Sequence, residues 1–281
     1  MLSYRHSFHA GNHADVLKHI TLSLLLEAMN GKDKPYVYID SHSGAGCYSL
    51  RSEHAKKTGE FETGISRIWQ ANNPPAELDA YLHVIKQYNR DGQLNYYPGS
   101  PLFAKTMMRP HDHIILNEIH PTDSPLLKRE FNKDSRAHLN QIDGFHLCRE
   151  KLPPQPRRGL LLMDPSYEMP NEYDQVCEAI KNAQRRWETG TFALWYPVVD
   201  RNKNDWLERK IKQLVQRPTL LVEMAVAEDS QGYGMTASGM IIINPPWKLF
   251  EQLESLLPWL CNTIQVENNA KQRLEWLRKE A

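Results

Sequence analysis

A chain of 281 residues, 41% hydrophobic and 24% charged, is long enough for one large domain or two small ones and has ample apolar side chains for a core. Lysine plus arginine and aspartate plus glutamate balance at 34 each, so a nucleic-acid partner has to be held by a local basic patch. Four scattered cysteines (Cys47, Cys148, Cys177, Cys261), a polar N-terminus and no apolar run near the ~20 residues of a membrane span argue against a disulfide framework, a zinc knuckle, a signal peptide and a membrane span.

Residues 1–13, MLSYRHSFHAGNH, are rich in aromatic, imidazole and guanidinium groups and have no core-forming period. A helix is predicted from Asn12, which with Asp15 three positions on resembles a capping box. Val16, Leu17, Ile20, Leu24 and Leu25 form its apolar stripe, and Asn30-Gly31 ends it. Four histidines (His6, His9, His13, His19) invite a metal reading. Gly11 and Asn12 interrupt the helix that His9 and His13 would need, and no HExxH pattern follows, so no metal is expected. Residues 36–40, YVYID, form the first strand. The turn SHSGAG at its C-terminal end lets the backbone approach a ligand at Gly44 and Gly46, but lacks the third glycine of the dinucleotide fingerprint.

Residues 48–97 are polar, with periodic stretches at 59–70 and 76–88, and read as a helical insertion. A short helix at 100–108 leads back to a regular alternation. Strand 113–117 ends in Glu118, helix 122–132 follows, and strand 137–142 ends in Asp143-Gly144 before a short helix. Strand 159–163 ends in Asp164, and helix 171–188 leads to strand 191–197. Helix 203–215, strands 219–226 and 239–245, and helix 247–262 complete the pattern. Seven strands, the last two joined without room for a crossover helix, predict a mostly parallel α/β sheet ending in an antiparallel hairpin. Residues 267–281 are a charged tail, helical or frayed.

The segment RGLLLMDPSYE, 158–168, organises the chain. Pro165 stops the strand's ladder and biases Asp164 towards extended geometry, so the acid projects from the C-terminal edge where open α/β sheets bind ligands. The Asp164 carboxylate and the Pro165 carbonyl can each accept one N–H of an exocyclic amine on a planar base, with Tyr167 stacked on the ring. A strand-ending turn would explain the tetrapeptide by turn chemistry alone. Its company decides the matter: Glu118 is placed for two ribose hydroxyls and Asp143 for an adenine amino group. With the glycine-rich turn, these acids describe a nucleoside-containing cofactor across the sheet edge and a planar amine beside it. Asn244-Pro245-Pro246-Trp247 imitates the amine-binding motif, but it ends an antiparallel strand and so belongs at the opposite edge.

That order of glycine turn, ribose acid, adenine acid and D-P-x-Y resembles S-adenosylmethionine-dependent amino-methyltransferases. The chain as a whole resembles the bacterial 23S ribosomal RNA adenine-N6 methyltransferases of the large-subunit methyltransferase J type. YRHSFHAGNHADVLKH, DSHSGAG, YYPGSP, LNEIHP, DGF, LLMDPSYE, ALWYPV and MTASGMIIINPPWKL carry the resemblance, which covers nearly all but the tail. It implies a Rossmann-like methyltransferase domain over 1–47 and 98–266, with 48–97 as an inserted helical subdomain. It also implies S-adenosylmethionine as cofactor and 23S ribosomal RNA as partner. Cofactor contacts are expected from Lys18, His19, His42, Ser100, Glu118, Asp143, Gly144 and Asp164, with Gly44 added by its turn. Asp164, Pro165 and Tyr167 are the expected catalytic group, and Tyr4 and His6 the RNA contacts. A monomeric cytoplasmic enzyme without a metal is the overall expectation.

Ser166 stands where that family usually has a second proline, which keeps the Pro165 carbonyl and loses stiffness. It would also be the mark of a catalytically inactive RNA-binding relative. A DNA adenine-N6 methyltransferase would share the active site and usually carry a larger target-recognition region than the ~50-residue insertion. A nicotinamide dehydrogenase would need GxGxxG running directly into a helix, which is absent.

Overall fold

The structure, a computed structural model, describes residues 4–229, 234–266 and 271–279. Helix α1 (His13–Asn30) begins at the predicted cap, where the Asn12 side chain accepts the Asp15 backbone N–H at 2.9 Å. It is buried on nearly every side, beyond the single stripe the sequence suggested, because it runs between the sheet and the helices that follow the first strand.

The strands are β1 (Val37–Asp40), β2 (Cys47–Ser49), β3 (Tyr96–Pro98), β4 (His113–Asn117), β5 (Ala137–Asn140) and β6 (Gly159–Met163). They continue with β7 (Thr191–Val198), β8 (Thr219–Ala225), β9 (Ala237–Ile243) and β10 (Gln272–Arg278). Among the described residues, eight of them form one sheet in the order β10-β8-β9-β7-β6-β1-β4-β5. Strands β5, β4, β1, β6 and β7 are parallel, while β9 lies antiparallel between β7 and β8. The chain winds outward from β1 to β5, then returns to β6 and winds the other way. The switch point therefore lies between β1 and β6. Both strands are buried along their whole length, as their unbroken apolar runs require of a sheet covered on both faces.

The stretch of residues 48–97 holds helices α2 (Glu53–Thr58), α3 (Glu60–Thr63), α4 (Ile65–Gln70) and α5 (Asp79–Tyr88). The two-stranded sheet β2–β3, not anticipated from sequence, ties its ends together. Its Ile65, Ile68, Leu78, Val84 and Ile85 are buried in the same core cluster as α1 and one face of the large sheet. A side chain at Gly64 would lie 2.2 Å from the Gly11 carbonyl oxygen, so glycine is required where α3 breaks into α4 against the N-terminal segment. After β3 come α6 (Ser100–Met107), α7 (Asp123–Phe131), α8 (Gly144–Glu150), α9 (Glu172–Arg186), α10 (Arg201–Leu214) and α11 (Leu249–Ile264).

Two sequence expectations are corrected. The sheet has eight strands instead of seven, because the supposed tail supplies β10, antiparallel to β8. Leu274 and Trp276 alternate with Arg273 and Glu275, so a half-buried strand was hidden under a high charge density. Among the described residues no helix is long and apolar enough to cross a membrane.

Candidate active site

The segments that follow β1, β4, β5 and β6 meet along one sheet edge and enclose a cleft of about 360 Å³ at the switch point. Gly44 has φ +64, and its N–H donates to Glu118 Oε2 at 2.7 Å. A Cβ there would lie 2.1 Å from the Tyr48 hydroxyl, so the turn tolerates only glycine. Glu118 Oε1 accepts the His120 N–H at 2.6 Å, and burial raises the carboxyl's pKa against the pull of these two amides. Asp143 caps α8 through Oδ1, 2.7 Å from the His146 N–H. A side chain on Gly144 would meet His42 Nε2 at 2.5 Å. Burial pushes His42 down to about 4, so its imidazole is neutral, with Nδ1 hydrogen-bonded to Ser41 Oγ at 2.8 Å.

Asp164 leaves β6 with its side chain 14% exposed, and Oδ2 accepts Lys18 Nζ at 2.5 Å. The same ammonium lies 2.9 Å from Asp15 Oδ1 and 5.6 Å from the centre of the Trp195 ring. Burial works against the charge on Lys18, but Asp15 and Asp164 outweigh it and hold the ammonium well above its usual range. Asp15 Oδ2 accepts the Gly11 N–H and pairs with His6 Nε2, both at 2.9 Å, and His6 Nδ1 shares a hydrogen bond with the Tyr4 hydroxyl at 2.9 Å. An unbroken polar chain thus runs from Tyr4 at the surface through His6, Asp15 and Lys18 to Asp164. The Tyr4 ring stacks on His9, with centroids 5.6 Å apart.

Twelve of the residues singled out from sequence line this one cleft: Tyr4, His6, Lys18, His19, His42, Gly44, Ser100, Glu118, Asp143, Gly144, Asp164 and Pro165. Tyr167 does not. Its backbone takes φ +55, its hydroxyl donates to the Trp195 carbonyl at 2.8 Å, and its ring packs on Tyr173. Asn244 sits at the opposite edge of the sheet, donating to the Glu188 and Gly190 carbonyls ahead of β7. Among the described residues no group of three or more His, Cys, Asp or Glu side chains is arranged to hold a metal.

Sequence reading missed Asp15, Asp40 and Trp195. Asp15 had been assigned wholly to helix capping, and Trp195 lies inside an apolar strand and reads as core. Asp40 obeys the same strand-end rule that found the other acids. Its Oδ2 accepts the Ser100 and Tyr38 hydroxyls at 2.7 and 2.8 Å, and Oδ1 the His42 N–H at 3.2 Å. Burial still pushes its carboxyl up to about 6. A carboxyl raised in the folded state favours folding fully below its unfolded value, and that contribution is lost as pH rises through about 6. Wild type should therefore lose up to about 3 kcal/mol of stability between pH 4 and 7 relative to Asp40→Asn, which cannot titrate. Urea denaturation of both proteins across that range measures the difference, and a flat difference would show that Asp40 is not raised.

A family model described as "Ribosomal RNA large subunit methyltransferase D, RlmJ" matches residues 33–278. The Escherichia coli (strain K12) protein named Ribosomal RNA large subunit methyltransferase J is 52% identical over 280 residues, covering 100% of both chains. The Haemophilus influenzae protein of the same name is 45% identical over 281 residues, again covering 100% of both. A crystal structure of a Legionella pneumophila protein is 36% identical and superposes with a TM-score of 0.88, covering 95% of this chain and 98% of its own.

Proposed function

The chain belongs to the RlmJ family of large-subunit ribosomal RNA methyltransferases, and we propose that it methylates N6 of an adenine in 23S ribosomal RNA with S-adenosylmethionine as donor. The observation that carries this reading is the set of strand-end acids Glu118, Asp143 and Asp164 lining a single cleft at the switch point. The cleft fits the cofactor by its donor set and its shape. Gly44 and Gly144 leave room that a Cβ would fill, and the two acids beside them offer oxygens for ribose hydroxyls and an adenine amine.

When bound, the cofactor supplies a methyl group made electrophilic by a sulfonium. The protein's task is to present a poor nucleophile, because the adenine N6 lone pair is conjugated into the ring. Lys18 occupies Asp164 Oδ2, which leaves Oδ1 to accept one N–H of the amine, and the Pro165 carbonyl accepts the other. Those two acceptors favour pyramidal nitrogen and aim its lone pair, so the gain is chiefly in positioning and electrostatics. Asp164 Oδ1 then receives or steers the proton that N6 sheds late in transfer. The base has to be unstacked to reach this position. Tyr4, 36% exposed at the cleft mouth, walls it in, and Tyr167 anchors the catalytic loop through the Trp195 carbonyl.

Incubation with labelled methyl donor and 23S ribosomal RNA or duplex DNA, followed by nucleoside analysis, tests the reading. N6-methyladenosine in the RNA is the expected product. Transfer to DNA alone, or cofactor binding with no transfer at all, would overturn it in favour of a DNA enzyme or an inactive relative. Tyr4→Ala should lower RNA methylation about 5- to 100-fold, the range of one base–aromatic stack, and leave cofactor affinity within about twofold. A protein lacking residues 1–10 that still methylates RNA at the full rate would remove the N-terminal segment from the site.

A further inference from the structure

The His19 ring lines the cleft, yet its Nδ1 lies 2.8 Å from the hydroxyl of Tyr97. That hydroxyl in turn lies 3.3 Å from the hydroxyl of Tyr81. Both tyrosines are fully buried, neither lines the cleft, and both belong to the inserted region, Tyr81 on α5 and Tyr97 on β3. Phe103 on α6 stacks on His19 at 5.0 Å and on Tyr81 at 5.5 Å, which fixes the row of rings.

Burial, which outweighs the pull of Asp15, keeps the His19 imidazole well below its usual pKa, so the neutral ring carries a single N–H. The protons can be threaded through the row in two ways. If Nδ1 carried the proton it would donate to Tyr97, Tyr97 would donate to Tyr81, and the fully buried Tyr81 hydroxyl would have no acceptor among the described residues. In the other direction Tyr81 donates to Tyr97, Tyr97 donates to Nδ1, and every proton is used. The single N–H is then on Nε2, which has no partner among the described residues and is not a sealed atom, so it opens into the cleft.

We propose that Tyr97 and Tyr81 are positioning residues that lock His19 in its Nε2–H form, so that it presents a hydrogen-bond donor to an acceptor atom of the bound cofactor. The proposal rests on the reading of this cleft as the cofactor site. It gives the insertion a second task besides packing, since two of its buried side chains, neither of them lining the cleft, set the chemistry of one cleft wall.

The ring nitrogens of His19 can be read by 15N NMR in the cofactor-free protein, with His19→Gln assigning the signals. Protonation on Nε2 is expected in wild type, and protonation on Nδ1 overturns the proposal whether or not the cleft binds cofactor. In Tyr97→Phe the two tautomers should mix, and titration calorimetry with S-adenosylmethionine should show Kd raised about five- to tenfold, the factor one neutral hydrogen bond is worth. KM for the cofactor should rise with it while kcat stays near wild type, a split that general loosening of the core would not give. Tyr81→Phe should have a smaller effect of the same kind, because Tyr97 can still donate. Unchanged tautomer and unchanged Kd in Tyr97→Phe would overturn the lock. A wild-type protein with the Nε2–H form and no cofactor affinity would instead overturn the proposed function and leave the lock standing.

Discussion

Asp164→Ala should lose methyl transfer by about 10²–10³-fold or more while binding the cofactor only moderately less tightly, the behaviour of a site that loses a preorganised polar group. The acid is fixed from two sides. The β6 strand and Pro165 set where its backbone leaves the sheet, and Lys18 holds one carboxylate oxygen at 2.5 Å. Removing it takes away the acceptor proposed for the amine and leaves Lys18 with Asp15 alone. Asn244→Ala is the matching control, because its side chain serves the Glu188 and Gly190 carbonyls at the far edge of the sheet. Single-turnover methylation with saturating cofactor separates the two. Near-normal turnover in Asp164→Ala with a dead Asn244→Ala would mean that the wrong motif carries the chemistry.

Lys18→Ala should damage both folding and catalysis. The lysine is buried between Asp15 and Asp164, and removing one member of a buried ion pair costs about 3–5 kcal/mol because the remaining charge is stranded. Burial opposes ionisation of Asp15, yet His6 and Lys18 hold its carboxyl well below the usual range. Stability from a depressed carboxyl is present above its unfolded value and lost as pH falls through the folded one. The deficit of Lys18→Ala should thus be largest at neutral pH and shrink in acid. Urea denaturation at pH 7 and below pH 4 reads that trend, and a deficit independent of pH would show that Lys18 contributes by packing alone. Turnover at pH 7 should fall at least about 10²-fold, since Asp164 loses the contact that holds its Oδ2.

The α/β alternation was legible because each parallel strand is a short apolar run ended by an acid or a turn, and those endings are also where ligands bind. One rule therefore picks out the strands and, at their ends, three acids that line the cleft, Glu118, Asp143 and Asp164. The same rule applies to Asp40, which ends β1 directly before the glycine turn. Other features were hidden for separate reasons. The polar chain from Tyr4 to Asp164 joins residues far apart in sequence, and no local pattern announces it. Tyr167 was expected to face the base, but its positive φ turns the ring towards Tyr173 and Trp195, and backbone torsion is invisible in a residue string. The strands β2 and β3 are three residues each, too short for alternation to show.

The strand β10 has a consequence for the protein's behaviour in a crowded cell. Its neighbour β8 is buried along all of its length and mostly apolar, and without β10 it would present an open row of amide and carbonyl groups to any other extended chain. The covering strand places Arg273, Glu275 and Arg278 at the rim, and Arg273 is pinned to Glu208 by two hydrogen bonds of 2.8 and 3.0 Å. Its register shifts between Trp276 and Arg278, which spoils the regular ladder a further strand would need. The strand β10 thus closes that edge of the sheet, and a protein cut before Gln272 would leave β8 open to pairing with other extended chains.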